Sequence, residues 1–237
     1  MPRRRHFYLF WGLVLLMAAS IQPAPAQQPA PAAPAGPVYV ITYLEVGAAS
    51  AAKAAAILRK LSAASRKEDG SLGFVALREH ARPGRFAIVE GWKDKAALDK
   101  HAAAAKPAFD QLQPLEAAPP DVRTCNELAM GPAGGRDPMV KGTFYVVTHV
   151  DVPPPSKEEA IGLVKQLAED SRKDDGNLRF DVVQQSSRPN HMEMVEAWRD
   201  RTARDAHVMA EHTRAIRTKL TPLHGALFDE RLYEPVR

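Results

Sequence analysis

The chain has 237 residues, 45% of them hydrophobic, with 32 Lys+Arg against 28 Asp+Glu. Three of those arginines and no acid fall in residues 1–26, so the remainder is nearly neutral, which excludes the basic footprint of a nucleic-acid-binding protein. Cys125 is the single cysteine, which excludes an intrachain disulfide.

In chain order, Arg3-Arg4-Arg5 is a positive n-region and Phe7 to Ala19 is an almost unbroken apolar run. That run is shorter than the roughly 20 residues a membrane-spanning helix needs. Ala24-Pro25-Ala26 then supplies small residues at the positions a signal peptidase reads. Residues 1–26 are therefore expected to be a cleavable signal peptide, cut near Ala26, with a retained anchor as the alternative. The mature protein is expected to be periplasmic or secreted, with no membrane association after cleavage. Residues 27–37 form a Pro/Ala linker of extended character.

From residue 38 the chain states one pattern twice. Tyr39-Val-Ile-Thr-Tyr-Leu-Glu-Val46 returns 106 positions later as Tyr145-Val-Val-Thr-His-Val-Asp-Val152. Ser65-Arg-Lys-Glu-Asp-Gly70 returns as Ser171-Arg-Lys-Asp-Asp-Gly176, and Val89-Glu-Gly-Trp-Lys-Asp94 as Val195-Glu-Ala-Trp-Arg-Asp200. A repeat of this length is a small domain rather than a solenoid turn. The domains are placed at 38–128 and 144–237, joined by a Gly/Pro-rich linker at 129–143.

Each repeat opens on a β-branched run, Val38 to Val46 and Phe144 to Val152, read as a strand sequestered on both faces. A helix follows, with Ala54, Ile57, Leu58 and Leu61, or Ala160, Leu163, Val164 and Leu167, on one buried stripe. Ser156 is a plausible N-cap of the second copy, and Gly70 and Gly176 suit the left-handed residue after a helix. A hairpin spans Leu72 to Arg82 and Phe86 to Trp92, with Leu178 to Arg188 and Met192 to Trp198 in the copy. A short helix pair (about 95–113 and 201–220) and a last strand (about 121–128 and 227–233) complete each unit. Cys125 is expected inside that last strand as a small hydrophobe, with Tyr233 at the matching place.

The order strand, helix, strand, strand, helix, strand is the ferredoxin-like pattern of the α+β class. Its antiparallel sheet leaves one face uncovered, and the sister repeat is the natural cover. The expected fold is thus two tandem ferredoxin-like domains forming an intramolecular dimeric α/β-barrel, as a monomer.

The sharpest constellation is Glu-x-Trp-x8-His, present as Glu90, Trp92 and His101 and again as Glu196, Trp198 and His207. Alternate residues of a strand share a face, so each Glu projects with its Trp, at the end of a row begun by Phe86 and Ile88 or Met192 and Met194. The alternative is structural: Glu caps the next helix while Trp and His pack its base. Metal binding has little support. His207 and His212 are five apart, unlike the i, i+4 pair of a helical zinc site, and His191-Met-Glu193 adjoins a Pro-Asn turn where side chains are usually solvated. The Ser-Arg-Lys-acid-Asp-Gly segment is read as cationic compensation of a helix C-terminus.

A strand, a helix, then Val-Glu-x-Trp-x-Asp-x-x-Ala with a His early in the next helix resembles the antibiotic biosynthesis monooxygenase domain family, twice over. The resemblance implies paired ferredoxin-like sheets and, by analogy with cofactor-free members, oxidation of quinols or aromatic polyketides by O2. Members often carry a second His shortly after the first: His212 matches it, whereas the first repeat has Lys106. The haem-degrading branch uses an Asn on the first strand, where this chain has Thr42-Tyr43 and Thr148-His149, so haem degradation is disfavoured, although His149 leaves plain haem binding open. The expected function is an exported, cofactor-independent monooxygenase of a quinol or other electron-rich aromatic, with a small aromatic substrate and O2 as partners and no cofactor or metal. His207 and His101 are the candidate bases, Glu196 and Glu90 their orienters, and Trp198, Trp92, His149, Tyr43 and His212 the candidate substrate-binding residues. The alternative is a non-catalytic periplasmic module that binds a small molecule such as haem.

Overall fold

The structure is a computed structural model that describes residues 36–136, 138 and 140–237; the expected leader at 1–26 lies outside the described residues. Repeat 1 contains β1 (Val38–Glu45), α1 (Ala51–Ser65), β2 (Ser71–Glu79), β3 (Arg85–Trp92), α2 (Lys95–Leu112) and β4 (Asp121–Ala129). Repeat 2 contains β5 (Phe144–Asp151), α3 (Lys157–Ser171), β6 (Asn177–Gln185), β7 (His191–Trp198), α4 (Arg201–Met209), α5 (Glu211–Leu220) and β8 (Asp229–Pro235). No helix among the described residues is long and apolar enough to cross a membrane.

The eight strands form one closed antiparallel barrel in the order β1-β3-β2-β8-β5-β7-β6-β4. Closure depends on the last strand of each repeat. β4 pairs with its own β1 and with β6 of the other repeat, and β8 pairs with its own β5 and with β2. Both open edges of each sheet are thereby hydrogen-bonded, which removes the unpaired rows that invite aggregation.

Strand alternation then sorts the side chains into three packed layers. Tyr39, Ile41, Val75, Leu77, Val89, Cys125, Tyr145, Val147, Val195 and Tyr233 fill the barrel interior. Cys125 stands opposite Tyr39 and Tyr233 opposite Tyr145, so the matching places expected of them are equivalent in space. The outer face of repeat 1 packs Phe74, Phe86, Ile88 and Trp92 against Leu58, Leu61, Ala97 and Leu112. The outer face of repeat 2 packs Phe180, Met192, Met194 and Trp198 against Val164, Leu167, Ile216 and Leu220.

Local chemistry sets the helix ends. Asp94 and Asp200, the last residues of the Glu-x-Trp-x-Asp motif, cap α2 and α4 by accepting the Ala97 and Ala203 N–H at 2.8 Å each. The alternative role for Glu90 and Glu196, capping these helices, is thus taken by the aspartates. Ser156 stands at the start of α3 but makes no side-chain cap, because a short 3-10 turn at Pro154–Ser156 already leads into the helix. Gly70 and Gly176 adopt φ of 85° and 82°. A Cβ there would meet the Ala97 and Ala203 Cβ at 2.7 and 2.5 Å, so glycine lets the loop after the first helix lie on the start of the second.

The second half of repeat 1 departs from the expected helix pair, whereas repeat 2 has it. In repeat 1, α2 runs unbroken through Pro107. In repeat 2 the helix breaks at Ala210, whose ψ of 146° is extended, giving α4 and α5.

Candidate functional site

Each Glu-Trp-His set lies outside the barrel, between the sheet and its helices. The Trp92 indole Nε1 donates to Glu90 Oε2 at 2.7 Å, and Trp198 Nε1 donates to Glu196 Oε2 at 2.8 Å. His101 stacks on Trp92 with ring centroids 4.4 Å apart, and His207 on Trp198 at 4.5 Å. Both tryptophans are fully buried and both histidines only 2% exposed. The candidates Glu90, Trp92 and His101, and Glu196, Trp198 and His207, are therefore brought together as two related clusters.

The imidazole orienters differ from those expected. His101 Nδ1 lies 3.1 Å from Glu68 Oε1, and His207 Nδ1 lies 2.8 Å from Asp174 Oδ2. Glu68 and Asp174 are the acids of the repeated Ser-Arg-Lys-acid-Asp-Gly segment, so that segment does more than compensate a helix end. Their recurrence three residues after the same Ser in both copies was the available signal. A carboxylate on Nδ1 makes that nitrogen the donor and leaves Nε2 as the proton acceptor. Glu90 still reaches His101, with Oε2 3.4 Å from Nε2, whereas Glu196 accepts from Trp198.

Burial disturbs the acid–base balance of these groups. Loss of solvent raises the Glu90 carboxyl above its ordinary range, opposed by the Trp92 hydrogen bond and by His101. Glu196 is pushed up to about 7 by burial, with the Trp198 hydrogen bond opposing. Burial lowers His207, while the hydrogen bond and charge of Asp174 pull the other way.

The break at Ala210 brings two further groups to the second cluster. His212 Nε2 lies 3.3 Å from Asp174 Oδ2, and Thr213 Oγ1 lies 3.2 Å from His207 Nδ1. A cleft of about 220 Å³ lined by Asp174, Arg199, Ala203, Ala206, His207 and Ala210 opens beside this cluster. Lys106, the residue matching His212, instead pairs with Asp110 on the exposed face of α2.

Tyr43 and His149 do not join the tryptophans. Strand alternation turns them to the opposite face, into one mouth of the barrel. There the Tyr43 hydroxyl donates to Glu193 Oε2 at 3.0 Å, and His149 Nδ1 lies 2.8 Å from Glu193 Oε1. Arg123 Nη1 donates to the same Oε1 at 2.5 Å and Gln185 Nε2 at 3.3 Å. The guanidinium groups of Arg123 and Arg231 lie over the Tyr43 ring at 4.7 and 4.8 Å. Burial raises the Tyr43 hydroxyl well above its ordinary value, and the Glu193 charge adds to this. Glu193 is wholly buried and His191 nearly so, contrary to the solvated turn expected of them; closure of the barrel places this end of β7 inside.

The i, i+5 spacing of one helix does not describe the second cluster. His207 and His212 belong to different helices, and with Asp174 they bring three donor atoms within 4.8 Å of one another. His149, Asp151 and His191 do the same in the barrel mouth.

"Putative monooxygenase YcnE" of Bacillus subtilis (strain 168) is 27% identical over 81 residues, covering 34% of this chain and 85% of that protein. A crystal structure described as a putative monooxygenase from Lactobacillus acidophilus NCFM superposes with a TM-score of 0.72 at 16% identity, covering 85% of this chain and 95% of that one. Another so described, from Fusobacterium nucleatum, gives 0.74 at 17%, covering 86% and 94%. Such identities speak to the fold, a barrel of the same extent. Relative and family together support a monooxygenase-type function. Because the model of the family "Antibiotic biosynthesis monooxygenase" matches residues 37–113 and again 143–219, the chain belongs to that family, with two copies of its domain.

Proposed function

We propose that this chain is an exported, cofactor-independent monooxygenase of a quinol or another electron-rich phenol, with its principal site in repeat 2. The observation that carries this reading is the Asp174–His207 pair stacked on Trp198 beside a buried Glu196 whose pKa lies near neutrality. An imidazole whose Nδ1 is held by a carboxylate is equipped to take a phenolic proton on Nε2. The resulting phenolate can pass an electron directly to O2. For a quinol the sum is quinol plus O2 giving hydroxyquinone plus water, so no external reductant is required. Burial raises Glu196 to about 7, so its carboxyl can hold a proton beside the stacked pair near neutral pH. Export rests on the leader-like residues 1–26, and a monomer on the barrel being closed within one chain.

A second reading is favoured by the packing. Both Trp-His stacks are buried in well-filled layers, as a module that kept the motif as core and lost the chemistry would have them. O2 uptake by the purified mature chain against a panel of quinols separates the two. Turnover with stoichiometric hydroxyquinone supports the oxygenase; no O2 consumption with any quinol gives precedence to the binding module.

A further inference from the structure

We propose that the barrel mouth of repeat 2 binds one divalent transition-metal ion of the Zn2+ class, held by His149, His191 and Asp151 and oriented by the buried carboxylate of Glu193. The His149 Nε2 and His191 Nδ1 atoms lie 3.2 Å apart. Two imidazoles sharing a tetrahedral zinc at about 2.0–2.1 Å have their nitrogens about 3.3 Å apart. One donor atom from each of the three residues falls within 4.8 Å of the others, and Asp151, at the strand end with its side chain 28% exposed, is free to swing closer.

The hydrogen-bond pattern calls for a cation. Glu193 Oε1 accepts from His149 Nδ1, which leaves His149 Nε2 as a lone pair. His191 therefore meets acceptors on both sides, His149 Nε2 at its Nδ1 and Asp151 Oδ1 at 3.4 Å from its Nε2. A neutral imidazole has one N–H and can satisfy one of them. A metal ion shared by His149 Nε2 and His191 resolves the conflict. A buried carboxylate behind a ligand histidine is the arrangement that fixes the tautomer in metal sites. The cations facing this mouth are Arg123, already paired with Glu193 and Asp121, Arg231, paired with Asp229, and Arg188. Repeat 1 places Tyr43, Glu45 and Arg85 at the equivalent positions, so a single site is expected per chain.

Isothermal titration of the untagged mature chain with Zn2+, with Co2+ absorption reporting the coordination, tests this. One equivalent is expected to bind, with affinity falling more than 100-fold in His149→Ala and His191→Ala, about 10–100-fold in Glu193→Gln, and not at all in His212→Ala. Asp151→Asn, the substitution least disruptive to the fold, must weaken binding while leaving the metal-free melting temperature unchanged. Absence of stoichiometric binding at micromolar Zn2+ would overturn the proposal. So would binding that survives loss of both His149 and His191, or that is lost in His212→Ala instead, or tetrahedral Co2+ bands that Asp151→Asn leaves unaltered in strength and affinity.

Discussion

The two repeats share a scaffold and diverge at its most chemical point. Each stacks a histidine on a tryptophan whose indole is held by a buried glutamate, and each holds the imidazole Nδ1 with an acid from the loop after its first helix. In repeat 1 the helix bearing the histidine continues for 18 residues, and Lys106 and Pro107 lie on its exposed face. In repeat 2 it breaks after nine, and the residues in the same places, His212 and Thr213, close on Asp174 and His207. One extended residue, Ala210, adds a second imidazole and a hydroxyl to the acid–histidine pair that both repeats share. The packed outer layers are common to both repeats, and the course of this helix differs.

The largest test of that contrast is catalytic. His207→Ala is expected to lower quinol-dependent O2 uptake by about 10²–10⁴-fold, the range typical of a general base, with His101→Ala costing much less. Equal losses would place both repeats in the chemistry, and full turnover in both variants would remove the histidines from it.

Packing should instead be symmetrical. Trp92→Ala and Trp198→Ala are each expected to destabilise the chain by about 3–5 kcal/mol in denaturant unfolding, since both side chains are fully buried. A marked inequality would show that one outer layer relaxes around its cavity.

Stability against pH separates the glutamates. The folded-state pKa of Glu196 is raised to about 7 from 4.5, so the folded chain holds a proton that the unfolded chain releases across that window. Stability is therefore expected to fall as pH rises from about 4.5 to 7, by on the order of 2–3 kcal/mol from this group. Glu196→Gln should flatten that slope. His207, lowered by burial, acts in the opposite sense, because the unfolded chain takes up its proton first as pH falls through 6.5. Unfolding titrations at intervals from pH 5 to 8 on wild type and Glu196→Gln measure both; an unchanged slope would remove Glu196 as the titrating group.

The smallest effect is expected at the break itself. Thr213→Val removes one hydrogen bond to His207 and should cost about 0.5–1.5 kcal/mol, seen as a modest drop in melting temperature. The altered imidazole should also show a changed pH dependence in its NMR titration. A Thr213→Val protein with both unchanged would make that contact incidental.

The sequence by itself determined the duplication, the order of elements, the buried helix stripes, the glycine turns and the pairing of each glutamate with its tryptophan. Those features depend on local periodicity, on backbone conformations that few residues adopt, and on the two-residue repeat of a strand. Asp94 and Asp200 were legible as part of the motif, but their capping role appears only when the helix start is placed. Tertiary structure decided the rest. Which face of β1 and β5 points inward depends on how the barrel closes, so Tyr43 and His149 meet Glu193 and never the tryptophans. Glu68 and Asp174 reach the histidines 33 positions further along only because the glycines beside them let two helices touch. The break at Ala210 has no proline or glycine to announce it, and the ligand geometry it creates depends on contacts between elements that sequence spacing does not encode.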